Sequence, residues 1–259
     1  MELGVSVPLK MHQKRLLGFP PLEEGILIKR YKRFLADVEL KSGEIVTAHC
    51  ANTGPMKGVL IPGGRVRLRY AASPSRKLQW SWEQAEVPNK NHGMTWVGIN
   101  TSLPNTLVRL AIENEFLKNE LGPIKEIKKE VIYGINKKSR IDLLLTPDEN
   151  SADNRCIYLE VKNTTWMDGE KALFPDTVTE RGQKHLNELM SVLPSYRAVL
   201  IPCLSRSDAL SFGPGDSADP LYGELFRKAF NKGIEVIPCC FGFHSDHISW
   251  EGKRPLDIN

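Results

Sequence analysis

The sequence contains no long apolar segment. Its longest apolar runs, such as residues 198–201, fall far short of the roughly 20 residues that a helix needs to cross a bilayer. The opening residues MELGVSVPLK also lack the charged start and apolar stretch of a signal peptide. With 41% hydrophobic and 25% charged residues, the 259-residue chain is predicted to be soluble and globular, and we expect it in the cytoplasm without membrane contact.

Cysteine is scarce and irregularly placed. The five cysteines are odd in number and two are adjacent, which argues against a disulfide framework and predicts reduced thiols. We expect the adjacent pair to be buried in a core strand over residues 234–243. A zinc site stays open as an alternative, although the spacing fits no standard zinc finger. Its ligands would be Cys239, Cys240, His244 and His247.

Residues 21–86 show no convincing helical periodicity. They contain short alternating segments separated by Gly and Pro, a pattern that predicts a small closed barrel or sandwich of five or six strands. The predicted strands cover residues 25–30, 33–40, 44–50, 58–61, 65–70 and 78–86.

Basic residues are concentrated in this first part. The first 90 residues contain 15 basic and 8 acidic residues, whereas the remainder contains 20 and 23. In the segment RVRLRY, strand alternation puts three arginines on one side, where they could follow a phosphate backbone. A solvated strand face is an equally good interpretation. The candidate DNA contacts of the barrel are Arg65, Arg67, Arg69, Arg30, Lys32 and Arg33.

After a polar link at residues 87–93, the pattern changes to alternating helices and strands. It therefore predicts an α/β domain with helices covering a mixed sheet, at residues 91–259, after a barrel domain at residues 1–90. One helix is expected to begin within SLPN and to run to about Leu121, and another to begin at a capping box of Thr177 and Glu180. The remaining predicted elements are strands at 126–133, 198–203 and 234–243, a loop at 205–219 and a helix at 221–232.

Two apolar segments, RIDLLL and CIYLEVKN, carry charges inside strands that should be buried. Glu160 and Lys162 lie two residues apart and therefore share one face of a strand, and antiparallel pairing of the two segments would bring Asp142 beside them. Neighbouring carboxylates repel unless a divalent cation lies between them, and Mg²⁺ prefers such oxygen ligands. The pattern therefore predicts a Mg²⁺ or Mn²⁺ site for phosphodiester hydrolysis. The alternative is a simple ion pair between Glu160 and Lys162.

Asp142, followed after 17 residues by Glu160-Val161-Lys162, resembles the core motif of the PD-(D/E)xK, or restriction-endonuclease-like, nuclease fold. The chain is also similar to the sugar fermentation stimulation protein A family, from about residue 15 to residue 241. That similarity is carried by AHCANTGPMKG, SRKLQWSWE, SRIDLLL, YLEVKNTTW and FPDTVTERGQKHLNELM. The resemblance implies an N-terminal OB-fold barrel, a PD-(D/E)xK-like second domain and DNA binding as the molecular function.

The resemblance also implies roles for particular residues. Asp142, Glu160 and Lys162 match the catalytic motif, and the carbonyl of Val161 would be a further metal ligand. Glu130 would complete the ligand set, with Glu113 on the first helix as an alternative helix acid.

The helix that follows residue 177 would bring further groups towards the phosphate. Arg181 and Lys184 are the candidates, whereas His185 falls in the apolar stripe of the helix and is predicted to be a core histidine. Two functions stay open, a Mg²⁺-dependent DNA nuclease and a non-catalytic DNA-binding regulator of sugar (maltose) metabolism. A homodimer is also left open.

Overall fold

The structure is a computed structural model that describes residues 15–73, 75–90, 93–134 and 139–258. The segment MELGVSVPLK and the middle of the predicted link at residues 87–93 lie outside this range. Across the described residues, no helix combines the length and the apolar character needed to cross a membrane.

The first part of the chain forms a closed barrel. Its strands are arranged in the order β4-β3-β2-β5-β6-β7, and parallel pairing of β4 with β6 closes the five strands β2 to β6 on themselves. The interior is apolar, with Leu27, Leu68 and Trp82 all fully buried. The strands are β2 (Leu22–Tyr31), β3 (Leu35–Leu40), β4 (Ile45–Cys50), β5 (Arg65–Tyr70), β6 (Trp80–Pro88) and β7 (Met94–Gly98), after a first strand β1 (Arg15–Gly18).

Two details of the first part differ from the prediction. Residues 58–61 form a turn rather than a strand, because the N–H groups of Val59 and Leu60 both donate to the carbonyl of Met56. The expected domain boundary after residue 90 falls inside the hairpin of β6 and β7, and β1 pairs with a strand near the end of the chain. The turn at residues 58–61 arises from local hydrogen bonds, whereas the pairing of β1 joins distant segments of the chain, which local periodicity does not report.

The second part is a three-layer α/β unit. Its main sheet has the order β1-β17-β16-β13-β10-β9-β8, with β15 attached to β13, and a small sheet has the order β11-β12-β14. The strands of the main sheet are β8 (Ile124–Tyr133), β9 (Ser139–Pro147), β10 (Ile157–Thr164), β13 (Arg197–Leu204), β15 (Glu235–Val236), β16 (Cys239–Phe243) and β17 (His247–Lys253). The small sheet contains β11 (Met167–Asp168), β12 (Lys171–Phe174) and β14 (Ser211–Pro214), and the helices are α1 (Pro104–Glu113), α2 (Lys118–Leu121), α3 (Glu180–Val192) and α4 (Pro220–Asn231).

The central strand β13 is buried along its whole length, as its uniformly apolar sequence predicts. Val199 and Ile201 pack in the cluster that contains α1, whereas Ala198 and Leu200 pack in the cluster that contains α3 and α4. The neighbouring strand β10 therefore lies between α1 on one face of the sheet and α3 on the other.

The predicted helices and loops need four corrections. The helix expected to reach Leu121 ends at Glu113, and α2 begins only at Lys118 after Glu115 adopts a φ of 59°. Helix α3 is capped by Thr179 instead of Thr177, because the Thr179 side chain accepts the N–H of Gly182. The loop predicted at 205–219 contains β14, and the strand predicted at 234–243 is divided into β15 and β16.

The cysteines of β16 are core residues, as expected. Cys239 and Cys240 are both fully buried, and all five cysteines are free. His244 and His247 stack on each other with ring centroids 4.3 Å apart. Over the described ranges, no group of three or more His, Cys, Asp or Glu side chains is arranged to hold a metal ion, so the zinc alternative gains no support.

Candidate functional site

The antiparallel pairing of β9 and β10 extends to Leu143 and Leu159, and the site begins directly after this pair. The Asp142 carboxylate bridges the two strands there, because its Oδ2 accepts the N–H of Val161 at 2.8 Å. Its Oδ1 accepts a hydrogen bond from the side-chain amide of Asn105 on α1, also at 2.8 Å. Two neighbouring elements thus fix the orientation of Asp142.

Glu160 is the buried centre of the site, with a side chain only 3% exposed. Its Oε1 accepts a hydrogen bond from Lys162 Nζ at 2.6 Å and also contacts His185 Nδ1 on α3. Lys162 Nζ in turn lies 3.3 Å from His185 Nδ1. The predicted grouping of Asp142, Glu160 and Lys162 is therefore present, with His185 as a fourth member.

The second oxygen of Glu160, Oε2, is buried and has no hydrogen-bond partner among the residues that the structure describes. A buried polar atom that is left unpaired costs about 1–3 kcal/mol, and more when it is charged. Oxygen atoms of this kind are the ligands that Mg²⁺ prefers, usually from one or two carboxylates with water and substrate phosphate. The carboxylates of Glu160 and Asp142 are therefore better suited to binding a divalent cation than to lying side by side without one.

The two carboxylates differ in how their charges are compensated. Burial, and then the negative charge of Glu160, raise the pKa of Asp142 to about 6 despite the hydrogen bonds from Val161 and Asn105. Burial would also raise the pKa of Glu160, but His185 and Lys162 outweigh it and lower that pKa. Lys162 and His185 thus stabilise the charge of Glu160, whereas the hydrogen bonds to Asp142 do not offset its burial and the nearby charge of Glu160.

Of the two additional acids implied by the resemblance, Glu130 lies on the strand next to Asp142 and Glu113 lies further along α1. Glu130 falls opposite Asp142 in the pairing of β8 with β9, but its φ of 52° interrupts the pairing and its side chain is exposed. Glu113 forms an ion pair with Arg109 on α1. It lies eight residues beyond Asn105, or roughly 12 Å along the helix axis. Neither acid joins Asp142 and Glu160.

Helix α3 reaches the site mainly through His185. The ring is 6% exposed, so the prediction of a buried histidine holds, but the same ring contacts Glu160 and Lys162. Arg181 is exposed and its Nε lies 3.5 Å from His185 Nε2, while Lys184 is exposed and its Nζ lies 3.6 Å from a carboxylate oxygen of Glu188. Arg181 therefore contacts the site indirectly, through His185, whereas Lys184 pairs with Glu188.

The start of α3 is fixed by α4. Asp219 caps α4 by accepting the N–H of Tyr222, and its other oxygen accepts the N–H of Thr179 at the start of α3. Gly182 allows the close packing of the two helices, since a Cβ there would lie 3.2 Å from the Tyr222 ring. These contacts fix the position of α3 along the sheet, and therefore the position of His185 relative to Glu160.

Sequence reasoning missed three residues of the site. Asn105 was interpreted only as part of a helix start, although it holds Asp142. Tyr133 and Tyr222 are buried, and within the described ranges of the chain their hydroxyl groups have no hydrogen-bond partner. Burial, followed by the charge of Glu160, raises the pKa of both phenols, so they stay protonated. The only sequence signal for Tyr133 is its position at the end of a strand that precedes Asp142.

The arginine row of β5 lies on one face, as alternation predicts, but each member has an acidic partner. Arg65 contacts Glu24 and Glu86 at 2.9–3.0 Å, and Arg67 contacts Glu24 at 3.1 Å. Arg67 is also only 11% exposed, with its guanidinium 3.7 Å from the centre of the Trp96 ring. A phosphate backbone would have to compete with these carboxylates.

Arg69 completes the row and is paired with a buried acid. Its Nε donates to Glu83, which is 1% exposed, at 2.8 Å. The other basic candidates of the barrel, Arg30, Lys32 and Arg33, have no acidic partner within the described part of the chain. Arg30 and Arg33 donate to backbone carbonyls of the loop after β4, and Lys32 lies beside them in an exposed turn.

Comparison with known proteins places both parts of the chain. Residues 28–99 match the family model described as the SfsA N-terminal OB domain, which confirms the OB fold of the barrel. Residues 102–247 match the sugar fermentation stimulation protein RE domain. The sugar fermentation stimulation protein homolog of Prochlorococcus marinus (strain MIT 9303) is 72% identical over 240 residues, 93% of each chain.

Further relatives extend this similarity. The homolog from Parasynechococcus marenigrum (strain WH8102) is 70% identical over 241 residues, covering 93% of this chain and 95% of that one. A solved structure of SfsA from Pyrococcus furiosus, in complex with Ca²⁺, is similar with a TM-score of 0.81 and 26% sequence identity. It covers 94% of this chain and 99% of its own, so the arrangement of barrel and α/β unit is shared.

Proposed function

The chain belongs to the sugar fermentation stimulation protein family, and from this premise we propose that it is a cytoplasmic DNA-binding protein with a Mg²⁺- or Mn²⁺-dependent nuclease site. The observation that carries the proposal is the buried, unpartnered Oε2 of Glu160 beside the fixed carboxylate of Asp142. The related protein from Pyrococcus furiosus forms a complex with Ca²⁺, another cation that selects oxygen ligands.

Each residue of the site has a distinct task in this proposal. Asp142, Glu160 and the carbonyl of Val161 would hold the cation, which supplies Lewis acidity for the phosphodiester and for the attacking water. Lys162 places an ammonium beside the carboxylates, where it would stabilise negative charge that develops on the phosphate. His185 and Asn105 orient Glu160 and Asp142, which keeps the ligands in position before substrate binds.

Contacts to DNA are proposed at the basic turn, which we define as Arg30, Lys32 and Arg33. Cations without acidic partners can neutralise phosphates without breaking an existing ion pair, and such contacts carry no information about sequence. Arg181 could add a contact close to the carboxylates. We therefore expect DNA binding with little sequence preference and a steep dependence on salt concentration.

The nuclease proposal is tested with single- and double-stranded DNA incubated with Mg²⁺ or Mn²⁺. The wild-type protein should cut at least one of these substrates, and Glu160→Gln should lose about a thousandfold in rate because a metal ligand is removed. Glu126→Gln, an exposed acid on the neighbouring strand β8, is the matched control and should cut normally. Equal cleavage by Glu160→Gln and wild type would overturn the proposal.

A second candidate function is a non-catalytic DNA-binding regulator of sugar metabolism. It is favoured by the contacts of Glu160 Oε1, since Lys162 and His185 already occupy that oxygen, and by the exposed position of Glu130. In this case wild type and Glu160→Gln would bind DNA equally and neither would cut it with Mg²⁺ or Mn²⁺. The same incubation, with a binding assay alongside, separates the two functions.

A further inference from the structure

A polar cavity of about 200 Å³ lies between the barrel and the α/β unit. Three of the segments that carry the family resemblance meet there, although the nuclease proposal gives none of their lining residues a task. AHCANTGPMKG contributes Asn52, YLEVKNTTW contributes Asn163 and Trp166, and FPDTVTERGQKHL contributes Phe174 and Asp176.

The walls of the cavity are held by contacts between the two parts. Thr101, which precedes α1, donates from Oγ1 to the carbonyl of Ala51 at 2.5 Å. The backbone N–H of Lys57 donates to Asp176 Oδ2 at 3.4 Å, and Lys57 Nζ lies 3.8 Å from the centre of the Trp166 ring. The loop after β4 is thus fixed against the α/β unit, and the cavity is a built feature of the interface.

The cavity is lined by polar groups that the described part of the chain leaves unused. Asn52 Oδ1 accepts the N–H of Gly54 and Asn163 Oδ1 accepts the hydroxyl of Ser205, so each amide nitrogen retains its donors. Asp176 Oδ2 takes the N–H of Lys57, which leaves Oδ1 as an acceptor. Two amide donors and one carboxylate acceptor therefore accompany the aromatic walls.

The cavity borders the basic turn and lies beside the strand that carries Glu160. On one side, Arg30 Nη2 donates to the carbonyl of Asn52 at 2.7 Å, so the basic turn borders the lining. On the other side, Asn163 belongs to β10, the strand that carries Glu160, although alternation turns the Asn163 side chain to the opposite face of that strand. A DNA strand whose phosphates contact the basic turn would pass this opening.

We propose that the cavity binds one unpaired nucleobase of a DNA strand whose phosphates contact the basic turn. The partly exposed ring of Phe174 offers stacking to the flat face of any base, and the edges of bases carry donors and acceptors that can pair with the free groups of Asn52, Asn163 and Asp176. A paired base inside a duplex could not enter, so the substrate class is single-stranded DNA or a base turned out of its stack. This inference rests on the proposed DNA binding but not on cleavage.

Fluorescence anisotropy in the presence of EDTA tests the inference without any cleavage. The probes are a labelled 12-nucleotide single strand, the same strand with one abasic site moved through each position, and the matching duplex. We expect wild type to lose about tenfold in affinity when the abasic site reaches one particular position, and to bind the single strand more tightly than the duplex.

Asn163→Ala and Asp176→Asn should each bind the intact strand about tenfold more weakly than wild type does. For the strand with the abasic site at the sensitive position, the variants and wild type should have the same affinity. Asp176→Asn is nearly isosteric and guards against misfolding, and thermal melting checks both variants. The control Arg33→Ala should weaken every probe by the same factor, because it contacts phosphate. The base pocket would be overturned if the abasic site had no effect on wild-type affinity at any position. It would also be overturned if the loss caused by a variant added to the loss caused by the abasic site. Either result would leave the proposed DNA binding intact. Failure to bind any of the probes would overturn the proposed DNA binding itself.

Discussion

The arginine row of the barrel and the hairpin of β9 and β10 look alike in sequence, because both place charged residues two positions apart on a strand. Their surroundings differ. In the barrel, each arginine meets a carboxylate, as Arg69 meets Glu83 at 2.8 Å. In the hairpin, Asp142 faces a second carboxylate, and one oxygen of Glu160 has no partner in the described part of the structure. The spacing of charged residues along a strand therefore shows that they share one face. Only the partners that these charges meet on neighbouring strands distinguish a structural ion-pair network from a candidate functional site.

The barrel network is closed around a small number of acids. Glu24 alone contacts Arg65, Arg67 and Lys41. Burial would raise the pKa of Glu24, but its hydrogen bonds from Arg65, Lys41 and Arg67 lower it to about 2. The row that sequence analysis offered as a DNA track is thus largely occupied, and we move the proposed DNA contacts to the basic turn.

The largest effect is expected where the hairpin's single ammonium is removed. Lys162→Ala should lower the rate of DNA cleavage by about 10²–10³-fold, since developing charge on the phosphate loses its nearest cation. Binding of Mn²⁺ should persist because both carboxylates remain. Lys128→Ala, an exposed lysine on β8, serves as the control. Unchanged cleavage by Lys162→Ala would remove the catalytic distinction between the hairpin and the barrel.

The next largest effect concerns the buried ion pair of the barrel. Arg69→Met should reduce the free energy of unfolding by about 3 kcal/mol, because Glu83 is 1% exposed and would keep only Asn100 as a side-chain partner. Urea denaturation measures the change. Lys41→Met is the comparison, with an expected loss below about 1 kcal/mol, since that side chain is 71% exposed and Glu24 keeps Arg65 and Arg67. Similar losses in the two variants would contradict the ranking.

A smaller effect should depend on pH. Glu24→Gln should lower the free energy of unfolding by about 1 kcal/mol at pH 7, because the carboxylate is bound by three cations. The folded-state pKa of Glu24, about 2, lies below its ordinary value of 4.5, so its stabilisation is complete above that value and is lost as pH falls between them. Urea denaturation at pH 7, 4 and 3 should show the two proteins converging. A difference that stays constant down to pH 3 would contradict the assignment.

The smallest expected effect is on the stability of an Asp142 variant, and its direction is opposite to that of the barrel variants. Asp142→Asn removes a buried charge that faces Glu160, so in metal-free buffer the free energy of unfolding should stay within about 1 kcal/mol of wild type or rise. The hydrogen bond to Val161 can be kept by the remaining oxygen, and the Asn105 amide can turn to pair with the new one. A loss of several kcal/mol, like that expected for Arg69→Met, would show that Asp142 serves the fold.

The hairpin itself could be predicted from sequence because its signals are local. Glu160 and Lys162 share a face through strand alternation, and the apolar segments around Asp142 indicate burial. The partners of these residues could not be predicted in the same way, since His185 lies 25 residues from Glu160 and Asn105 lies 37 residues from Asp142. Packing of α3 and α1 on opposite faces of the sheet decides those contacts.

The barrel shows the same limit. Alternation correctly places Arg65, Arg67 and Arg69 on one face, but Glu24 lies 41 residues from Arg65 and meets it only through the pairing of β2 with β5. The exposed position of Glu130 depends on a single residue with a φ of 52°, which no side-chain pattern announces. The sequence thus predicts which charged residues share a face of a strand. The tertiary pairings decide which of those charges have no partner of opposite charge.

The central claim is that the leftover charge at Asp142 and Glu160 binds a divalent cation. Anomalous diffraction from crystals soaked in Mn²⁺ tests it most directly. We predict one strong peak between Asp142 and Glu160, within about 2.2 Å of Glu160 Oε2, as expected for a small oxygen-coordinated divalent ion. The account would be contradicted if saturating Mn²⁺ gave no peak at this position.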